Sequence, residues 1–286
     1  MKEYTIKPLL TGWWTYNWGS VIAPFADGYV ADLPIFIFLV ESEEGEKIII
    51  DGSFKQESVL QRVFKSRRTP DQEVVEVLKK EGVDPDSIKT VIITHLHTDH
   101  SGCLDVFKNA DFYVQETELI ESYSPIGHQA VGCEINDWIS LVPRFKLVNG
   151  DYSLRDGINL IFAPGHTPGH QAVSINTSKG RAVYFGDCCC LYAGLAKRFP
   201  MQFFDLVKKT AKEGDSGISD PETAKVINKI FSARFGGYFG PLVLNSGENM
   251  RTMHKLDLLA DIVIPAHDQD LLRMNIIPEK YDIEKV

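Results

Sequence analysis

The sequence of 286 residues lacks an excess of positive charge, with 30 Lys and Arg against 39 Asp and Glu and a formal net charge of −9. Proteins that bind nucleic acid normally carry a basic stripe that neutralises phosphates. The densest basic cluster here is the short segment Lys65-Ser66-Arg67-Arg68, which is typical of a solvated loop. The charge pattern therefore argues against a nucleic-acid partner, and a small molecule is the expected ligand.

Long hydrophobic runs are also missing. The longest apolar runs, such as Pro34 to Val40, are far too short to span a bilayer. The first residues, Met1-Lys2-Glu3-Tyr4, lack the basic-then-apolar layout of a signal peptide. We therefore expect no membrane association and, as the default, a cytoplasmic location.

Cysteine is scarce and does not form a disulfide framework. The chain has five cysteines, an odd number, and three of them are contiguous at Cys188-Cys189-Cys190. This pattern predicts reduced thiols, as in a cytoplasmic protein. Because the three thiols follow Asp187, a metal-ligand role is one reading, but packing as small apolar side chains is the expected one.

The sequence contains no Ser/Gly or Pro-rich linker, no long charge block and no internal repeat. With 44% hydrophobic residues the chain can bury a large core, so a single domain covering residues 1–286 is expected. An aromatic-rich stretch at about 195–245 predicts a helical insertion. We expect the helices of this stretch to pack on the sheet, with one edge forming a rim over the functional site. The alternative is that the stretch forms a lid or a homodimer interface.

The most informative motif concentrates three of the eight histidines within six residues, in Thr94-His95-Leu96-His97-Thr98-Asp99-His100. It directly follows the apolar run Val91-Ile92-Ile93, which predicts a strand. A buried core has no use for so many titratable groups, whereas a metal site does. His95 and His97, two residues apart, project to the same side and can hold one ion, while Asp99 and His100 face a second.

Further candidate ligands follow other predicted strands. His166 and His170 lie in the segment Gly165-His166-Thr167-Pro168-Gly169-His170, Asp187 ends the run Ala182 to Gly186, and His267 follows Ile262 to Ala266. One catalytic zinc needs about three protein ligands and an open position. The larger number of candidates predicts two divalent ions per chain, zinc in the first place, with manganese, iron and cobalt as alternatives.

These motifs, HxHxDH and then a His, an Asp and a His, resemble the metallo-β-lactamase superfamily. The resemblance implies an α/β fold, the four-layer αββα sandwich of two mixed β-sheets covered by helices. It also implies the metal ligands. One metal would be bound by His95, His97 and His170, and the other by Asp99, His100 and His267. Asp187 would bridge the two metals. Because the TPGH ending favours His170, His166 is expected to support the site rather than to bind metal.

Within the superfamily, the segment from Ala163 to Gln171 is similar to the N-acyl homoserine lactone lactonases. That family opens a cyclic ester, and a Tyr three residues after its bridging Asp contacts the substrate carbonyl. Here that position is Cys190 and the nearest tyrosine is Tyr192, so Tyr192 is the candidate catalytic residue, with packing beneath the site as the alternative. Asp51 stands at a turn that differs from the family's usual Asp-Thr-Gly, and it is expected to support the ligands.

The predicted function is therefore a metal-dependent hydrolase that opens a lactone or a related carboxylic ester. Two cations that share a water lower its pKa, and the resulting bridging hydroxide attacks the carbonyl. Asp99 can then pass the proton to the leaving group. The alternatives are a thioester hydrolase of the glyoxalase II type, a phosphodiesterase, and a non-hydrolytic iron dioxygenase of the same fold.

Hydrophobic periodicity predicts several elements around these motifs. Two hairpins are expected, at residues 35–40 with 47–50 and at 171–176 with 181–185. Helices are expected at residues 58–64, 71–80, 116–121, 221–235 and 247–259.

Overall fold

The structure is a computed structural model that describes residues 1–23, 26–57, 65–127, 129–210, 237–241, 243 and 245–283. The helices predicted at residues 58–64 and 221–235 lie outside these ranges. The described strands form two sheets, and both sheets contain parallel and antiparallel pairs.

The first sheet is built mostly from the N-terminal half of the chain. Its strands are β1 (Tyr4–Asn17), β2 (Val30–Ser42), β3 (Lys47–Ile50), β4 (Ser66–Arg67), β5 (Thr90–Ile92), β6 (Asp111–Gln115) and β7 (Phe145–Val148). They lie in the order β4-β1-β2-β3-β5-β6-β7. The β4, β1, β2 and β3 strands pair antiparallel, and β3, β5, β6 and β7 pair parallel. The predicted hairpin is β2 with β3, although β2 begins five residues before the predicted start.

The second sheet follows in the C-terminal half. Its strands are β8 (Tyr152–Arg155), β9 (Ile158–Phe162), β10 (Gln171–Thr177), β11 (Gly180–Tyr184) and β12 (Ile262–Ile264), in the order β12-β11-β10-β9-β8. The predicted second hairpin is β10 with β11, in which Thr177 pairs with Gly180. The β12 strand pairs parallel to β11 and brings the distant C-terminal part of the chain to the sheet.

Helices cover the sheets and connect the strands. The described α-helices are α1 (Val74–Lys80), α2 (Thr98–Ser101), α3 (Glu116–Ser122), α4 (Gln129–Gly132), α5 (Pro200–Thr210) and α6 (Ser246–Leu259). The α1 helix begins at Val74 rather than at Asp71, because Pro70–Gln72 form a separate turn of 3₁₀-helix. Among the described residues, no helix is long and apolar enough to cross a membrane.

Side chains of β2 are buried on both faces of the first sheet. Phe36, Phe38 and Val40 face the core that the second sheet closes, while Ile37 and Leu39 belong to the core beneath α1. A strand covered on both faces reads as a continuous apolar run, as this one does in the sequence. On the far side of the second sheet, α6 buries Met253 and Leu256. The predicted order of layers, helix-sheet-sheet-helix, is therefore confirmed.

This arrangement brings the ends of several strands to one edge of the sandwich. Thr94 to His100 follow β5, Asp187 follows β11 and His267 follows β12. Asp51 follows β3, which pairs parallel to β5. Because parallel neighbours end at the same edge, residues far apart in the sequence meet there.

Candidate metal centre

The first group of potential ligands consists of His95, His97 and His166, whose donor atoms lie within 4.8 Å of one another. His97 Nδ1 and His166 Nε2 are 3.1 Å apart. Among the described residues, no hydrogen-bond partner is found for the buried Nε2 of His95, while its Nδ1 lies 3.1 Å from the Thr94 hydroxyl. Three imidazoles therefore direct ring nitrogens toward one point.

The second group consists of Asp99, His100, Asp187 and His267, also within 4.8 Å of one another and all buried. The His100 Nε2 lies 3.3 Å from Asp99 Oδ2 and 3.2 Å from Asp187 Oδ1. The His267 Nε2 lies 3.5 Å from Asp99 Oδ2 and 2.9 Å from Asp187 Oδ1. Two carboxylates and two imidazoles thus share a second point.

Asp187 joins the two groups. Its Oδ1 faces the second group, and its Oδ2 lies 3.6 Å from His166 Nε2 in the first group. The residue before it, Gly186, has a φ of 54°, and a Cβ there would lie 2.5 Å from His170 Nε2. A side chain at Gly186 would therefore displace the loop that aims Asp187 at both groups.

The donor set fits two divalent cations. His100 Nδ1 lies 2.8 Å from Asp51 Oδ2, and His267 Nδ1 lies 3.0 Å from the carbonyl oxygen of Pro34. Since each Nδ1 donates its proton outward, the Nε2 of each ring faces carboxylate oxygens, and a positive charge, either a proton on Nε2 or a metal ion between these atoms, removes the repulsion. Tetrahedral bonds of 2.0 to 2.1 Å place neighbouring ligand atoms about 3.3 Å apart, close to the separations of 2.9 to 3.6 Å found here.

The protonation of the imidazoles agrees with this fit. Burial lowers the pKa of His95 and of His166 well below the usual value, so both rings are neutral, as a metal ligand must be. Burial also lowers the pKa of His100 and His267, but nearby carboxylates, Asp187 among them, outweigh burial and raise both pKa values. The second group therefore favours a positive charge, which a metal ion would supply.

Asp51 holds the ligand loop from behind. Its Oδ1 accepts the Thr94 N–H at 2.8 Å, and its Oδ2 accepts the Tyr184 hydroxyl at 3.1 Å in addition to His100 Nδ1. The backbone of Asp51 has a φ of 65°, which is unfavourable for a residue other than glycine. The hydrogen bonds hold this strained turn and fix the orientation of the His100 ring.

Glu118 of α3 is a supporting residue that the sequence pattern does not reveal. Its Oε1 accepts the Leu96 N–H at 2.8 Å, and its Oε2 accepts the Thr167 hydroxyl at 2.5 Å and the Gly169 N–H at 3.2 Å. One carboxylate thus ties the loop of His95 and His97 to the loop of His166. Burial raises the pKa of Glu118 to about 7.

We expect Thr167→Val to destabilise the protein by about 1.5 to 3 kcal/mol, because it removes a donor from a buried carboxylate. The missing hydrogen bond lowers the pKa of Glu118 in the wild type, so the variant carboxyl has a higher pKa and its ionisation costs more. The loss should therefore be larger at pH 8 than at pH 6. Urea denaturation at pH 6 and at pH 8 measures the free energy of unfolding of the wild type and the variant. Thr5→Val, which removes only a 3.4 Å contact to the Glu41 carbonyl, is the control, and equal stability of the two variants would contradict the role of Glu118.

The structure does not bring His170 into either group, contrary to the ligand role expected from the TPGH ending. His170 Nδ1 lies 3.1 Å from the Ala163 carbonyl oxygen, and His170 Nε2 accepts the Asp187 N–H at 3.1 Å. With both ring nitrogens engaged, the side chain has no lone pair for a metal. His166 is the histidine of this turn that lies in the first group, and His170 accepts the backbone N–H of Asp187.

Tyr192 is likewise placed away from the catalytic position expected for it. The side chain is fully buried, and its hydroxyl donates to the Val263 carbonyl at 3.1 Å. Its backbone N–H donates to Asp268 Oδ2 at 2.8 Å. Tyr192 therefore packs beneath the site, because the turn after Asp187 directs its ring into the core between strand and helix rather than into the cavity.

The three contiguous cysteines are buried and free, and each thiol contacts a backbone carbonyl. Cys188, Cys189 and Cys190 donate to the carbonyls of Phe185 at 2.9 Å, Leu191 at 3.2 Å and Asp187 at 3.7 Å. Burial raises the pKa of all three thiols. Neutral thiols are poor metal ligands, so packing accounts for them.

A cavity of about 220 Å³ opens above the two groups. Its floor contains ligand candidates from both groups, and its walls are mainly apolar. The lining residues are Trp14, Tyr16, Ser20, Val21, Leu33, Ile35, His97, Asp99, Gly132, His166, Asp187, Cys190, Pro241 and His267. A molecule with a polar head at the floor and an apolar body along the walls would match this cavity.

Comparison with known proteins places this geometry in context. N-acyl homoserine lactonase from Bacillus thuringiensis is 30% identical over 174 residues, which cover 57% of this chain and 67% of the relative. N-acyl homoserine lactonase AttM from Rhizobium radiobacter is 30% identical over 158 residues, which cover 50% of this chain and 60% of the relative. Because AttM is covered over less than two thirds of its length, the match concerns only part of that protein.

Solved structures share the fold over nearly the whole chain. The crystal structure of a quorum-quenching N-acyl homoserine lactone lactonase superposes with a TM-score of 0.66 and 22% identity, covering 100% of this chain and 99% of the other. A dizinc quorum-quenching lactonase in complex with its product superposes with a TM-score of 0.59 and 18% identity, covering 94% and 89%. At these identities the superpositions show the fold.

Residues 30–188 match the metallo-beta-lactamase superfamily. This region includes the HxHxDH motif, both histidines of the 165–170 segment and Asp187, and it is more than half of the chain. The chain therefore belongs to the metallo-beta-lactamase superfamily.

Proposed function

We propose that the protein is a hydrolase that depends on two divalent metal ions and opens the ring of a lactone. The observation that carries the proposal is the pair of ligand groups joined by Asp187 at the floor of an apolar-walled cavity. A ring ester presents a carbonyl to such a floor and a substituent to such walls.

In the proposed centre, His95, His97 and His166 would hold one ion, Asp99, His100 and His267 would hold the other, and Asp187 would serve both. Nitrogen and carboxylate ligands suit zinc, and they also accept manganese, iron or cobalt. When bound, two such ions supply a water that ionises near neutral pH and polarise a carbonyl oxygen. Zinc is the proposed native metal, in agreement with the dizinc content of one relative that shares the fold.

The proton transfers fall to Asp99, which lines the cavity. As the water oxygen bonds to the lactone carbonyl carbon, the Asp99 carboxylate accepts the proton that the water releases. When the bond from that carbon to the ring oxygen breaks, Asp99 returns the proton to the leaving oxygen. The product is one hydroxy acid, and no Ser or Cys nucleophile takes part.

The walls of the cavity support an apolar substituent on the ring. Trp14, Leu33 and Ile35 come from β1 and β2, and Pro241 also lines the cavity. Each methylene that leaves water contributes about 0.8 kcal/mol, which is about fourfold in affinity. The net charge of −9 disfavours polyanionic substrates such as nucleic acids. The 30% identical relatives are named N-acyl homoserine lactonases. An N-acyl homoserine lactone has a ring ester for the polar floor of the cavity and an acyl chain for its apolar walls.

We further propose one domain over residues 1–286. Residues 211–236, 242 and 244 of the 195–245 insertion lie outside the described residues. In its described part, α5 buries Phe203, Leu206 and Val207 in a cluster that also contains Trp18, from the turn after β1, and Leu191, from the turn after Asp187. Free buried thiols support a reducing compartment, such as the cytoplasm.

A substrate panel on zinc-loaded protein tests the proposal. We expect the highest kcat/KM on N-acyl homoserine lactones and alkyl γ-lactones, with KM falling about fourfold per added methylene until the cavity is filled. The panel includes an S-acyl glutathione thioester, a bis-aryl phosphodiester and a cephalosporin, and elemental analysis measures the ions per chain. Parallel loading with manganese, cobalt or iron identifies the preferred metal.

Two results would overturn the proposal in different ways. Rapid turnover of the thioester or the phosphodiester with inert lactones would refute the substrate class but not the two-metal centre. A single iron per chain, together with oxygen consumption, would refute the hydrolase and support the dioxygenase alternative.

A further inference from the structure

One face of β1 forms a wall of the cavity. Trp14 and Tyr16 are two residues apart on this strand, so their side chains project to the same side, and both line the cavity with Asp99 and Asp187. Their ring centroids are 6.4 Å apart. Tyr16 therefore brings a phenol to the same space as the floor of the site.

The opposite face of β1 fixes the orientation of the strand. Thr15, between the two aromatic residues, donates its hydroxyl to Asp32 Oδ1 at 2.8 Å. Asp32 also accepts both terminal nitrogens of Arg67, at 2.8 and 2.6 Å. Arg67 belongs to β4, which pairs with β1 at Trp13 and Trp14. Strand pairing and a bidentate ion pair thus hold Tyr16 with its ring toward the cavity.

The residues that follow Asp187 do not provide a hydroxyl donor to the cavity. Cys190 lines the cavity, but its thiol is a weak donor and lies 3.7 Å from the Asp187 carbonyl oxygen. The Tyr192 hydroxyl donates to the Val263 carbonyl oxygen in the core. Tyr16 is the only tyrosine among the described residues that line the cavity.

The hydroxyl of Tyr16 stays protonated beside the floor. Burial raises the pKa of Tyr16, and the nearby carboxylates of Asp99 and Asp187 raise it further. At neutral pH the side chain is therefore an O–H donor rather than a phenolate. A neutral donor that faces a site where negative charge develops on an oxygen strengthens its hydrogen bond during the reaction.

We propose that Tyr16 donates a hydrogen bond to the carbonyl oxygen of the bound ester and to the oxyanion that this oxygen becomes. The inference rests on the proposed hydrolysis of a cyclic ester. As the water oxygen bonds to the carbonyl carbon, the π electrons of the carbonyl move to its oxygen, which Tyr16 contacts while keeping its own proton. When the carbonyl re-forms, the ring C–O bond breaks, and Asp99 delivers the proton to the leaving oxygen.

Tyr16→Phe and Tyr192→Phe in the two-metal protein form a matched test, since both remove one phenolic hydroxyl. We expect Tyr16→Phe to lower kcat about ten- to hundredfold with a small change in KM, because the hydrogen bond strengthens in the transition state. Affinity for the ring-opened hydroxy acid, measured by calorimetry, should fall about two- to tenfold. The metal content should stay at two ions per chain. Tyr192→Phe should keep kcat and product affinity and lower only the melting temperature.

The other possible results separate the role of Tyr16 from the metal centre and from the substrate class. Wild-type kcat and product affinity in Tyr16→Phe, with lactones opened by the wild type, would refute the inference and leave the proposed function standing. A rise in KM alone would make the residue part of the wall, and loss of an ion would place the effect at the metal centre. Inert lactones in the wild type would refute the substrate class instead, and the same pair of variants would then be compared on whichever ester is hydrolysed.

Discussion

Asp187→Asn is expected to leave a folded protein that binds at most one ion per chain and has lost hydrolysis by at least about a thousandfold. The two carboxylate oxygens face different ligand groups, Oδ1 at 2.9 Å from His267 Nε2 and Oδ2 at 3.6 Å from His166 Nε2. A neutral amide cannot bridge two cations, because its nitrogen carries protons and no lone pair for a metal. Steady-state kinetics and elemental analysis of the purified variant measure both effects.

The change in metal binding can be separated from a change in folding. A chelator should lower the melting temperature of the wild type strongly and that of Asp187→Asn much less, since ions that bind the native state stabilise it. Asp105→Asn, which changes an exposed carboxylate, is the control and should keep two ions. Normal turnover in Asp187→Asn would make Asp187 a structural residue at the end of β11 and would refute the two-metal centre.

The strands that deliver the ligands could be predicted because burial leaves a direct mark in the sequence. Runs such as Val91 to Ile93 and Ile262 to Ile264 are apolar because both faces of their sheets are covered. Polar residues that follow such runs must lie at the ends of strands. Composition near strand ends thus identifies candidate ligands without knowledge of the loops.

The choice between His166 and His170 could not be made in this way. Both lie in one short turn, four residues apart, so spacing treats them alike. Their difference arises from the local backbone: Gly165 has a φ of 135°, and a Cβ there would lie 2.5 Å from the backbone of Asn249. The turn that this close contact requires sends His166 into the site and leaves His170 immediately before β10, where its Nε2 accepts the Asp187 N–H.

The sequence also could not show which tyrosine reaches the cavity. Tyr192 is near Asp187 in the sequence, but 3₁₀ turns at Gly186–Cys188 and Tyr192–Gly194 redirect the chain and bury its ring. Tyr16 is far away in the sequence and reaches the cavity only because β1 pairs along the full length of β2. Sequence distance from a ligand predicts little when the walls of a site come from another part of the sheet.

The variants His166→Gln and His170→Gln are expected to differ strongly in metal content and in hydrolysis. We expect His166→Gln to lose the ion of the first group, because an amide is a poor ligand for zinc, and to lose hydrolysis by at least about a hundredfold. It should retain about one ion, since the donors of the second group are intact. His170→Gln should keep two ions, because Gln offers one donor for the Ala163 carbonyl and one acceptor for the Asp187 N–H.

The comparison is sharp because the same substitution is made four residues apart in the same turn. A loss of stability in His170→Gln would reflect imperfect hydrogen bonds, so metal content rather than activity decides the ligand role. If His170→Gln lost an ion and His166→Gln kept two, the two histidines would have the roles that the TPGH ending indicates. In that case the ring of His170 would have to turn away from Asp187 and give up its hydrogen bond to the Asp187 N–H.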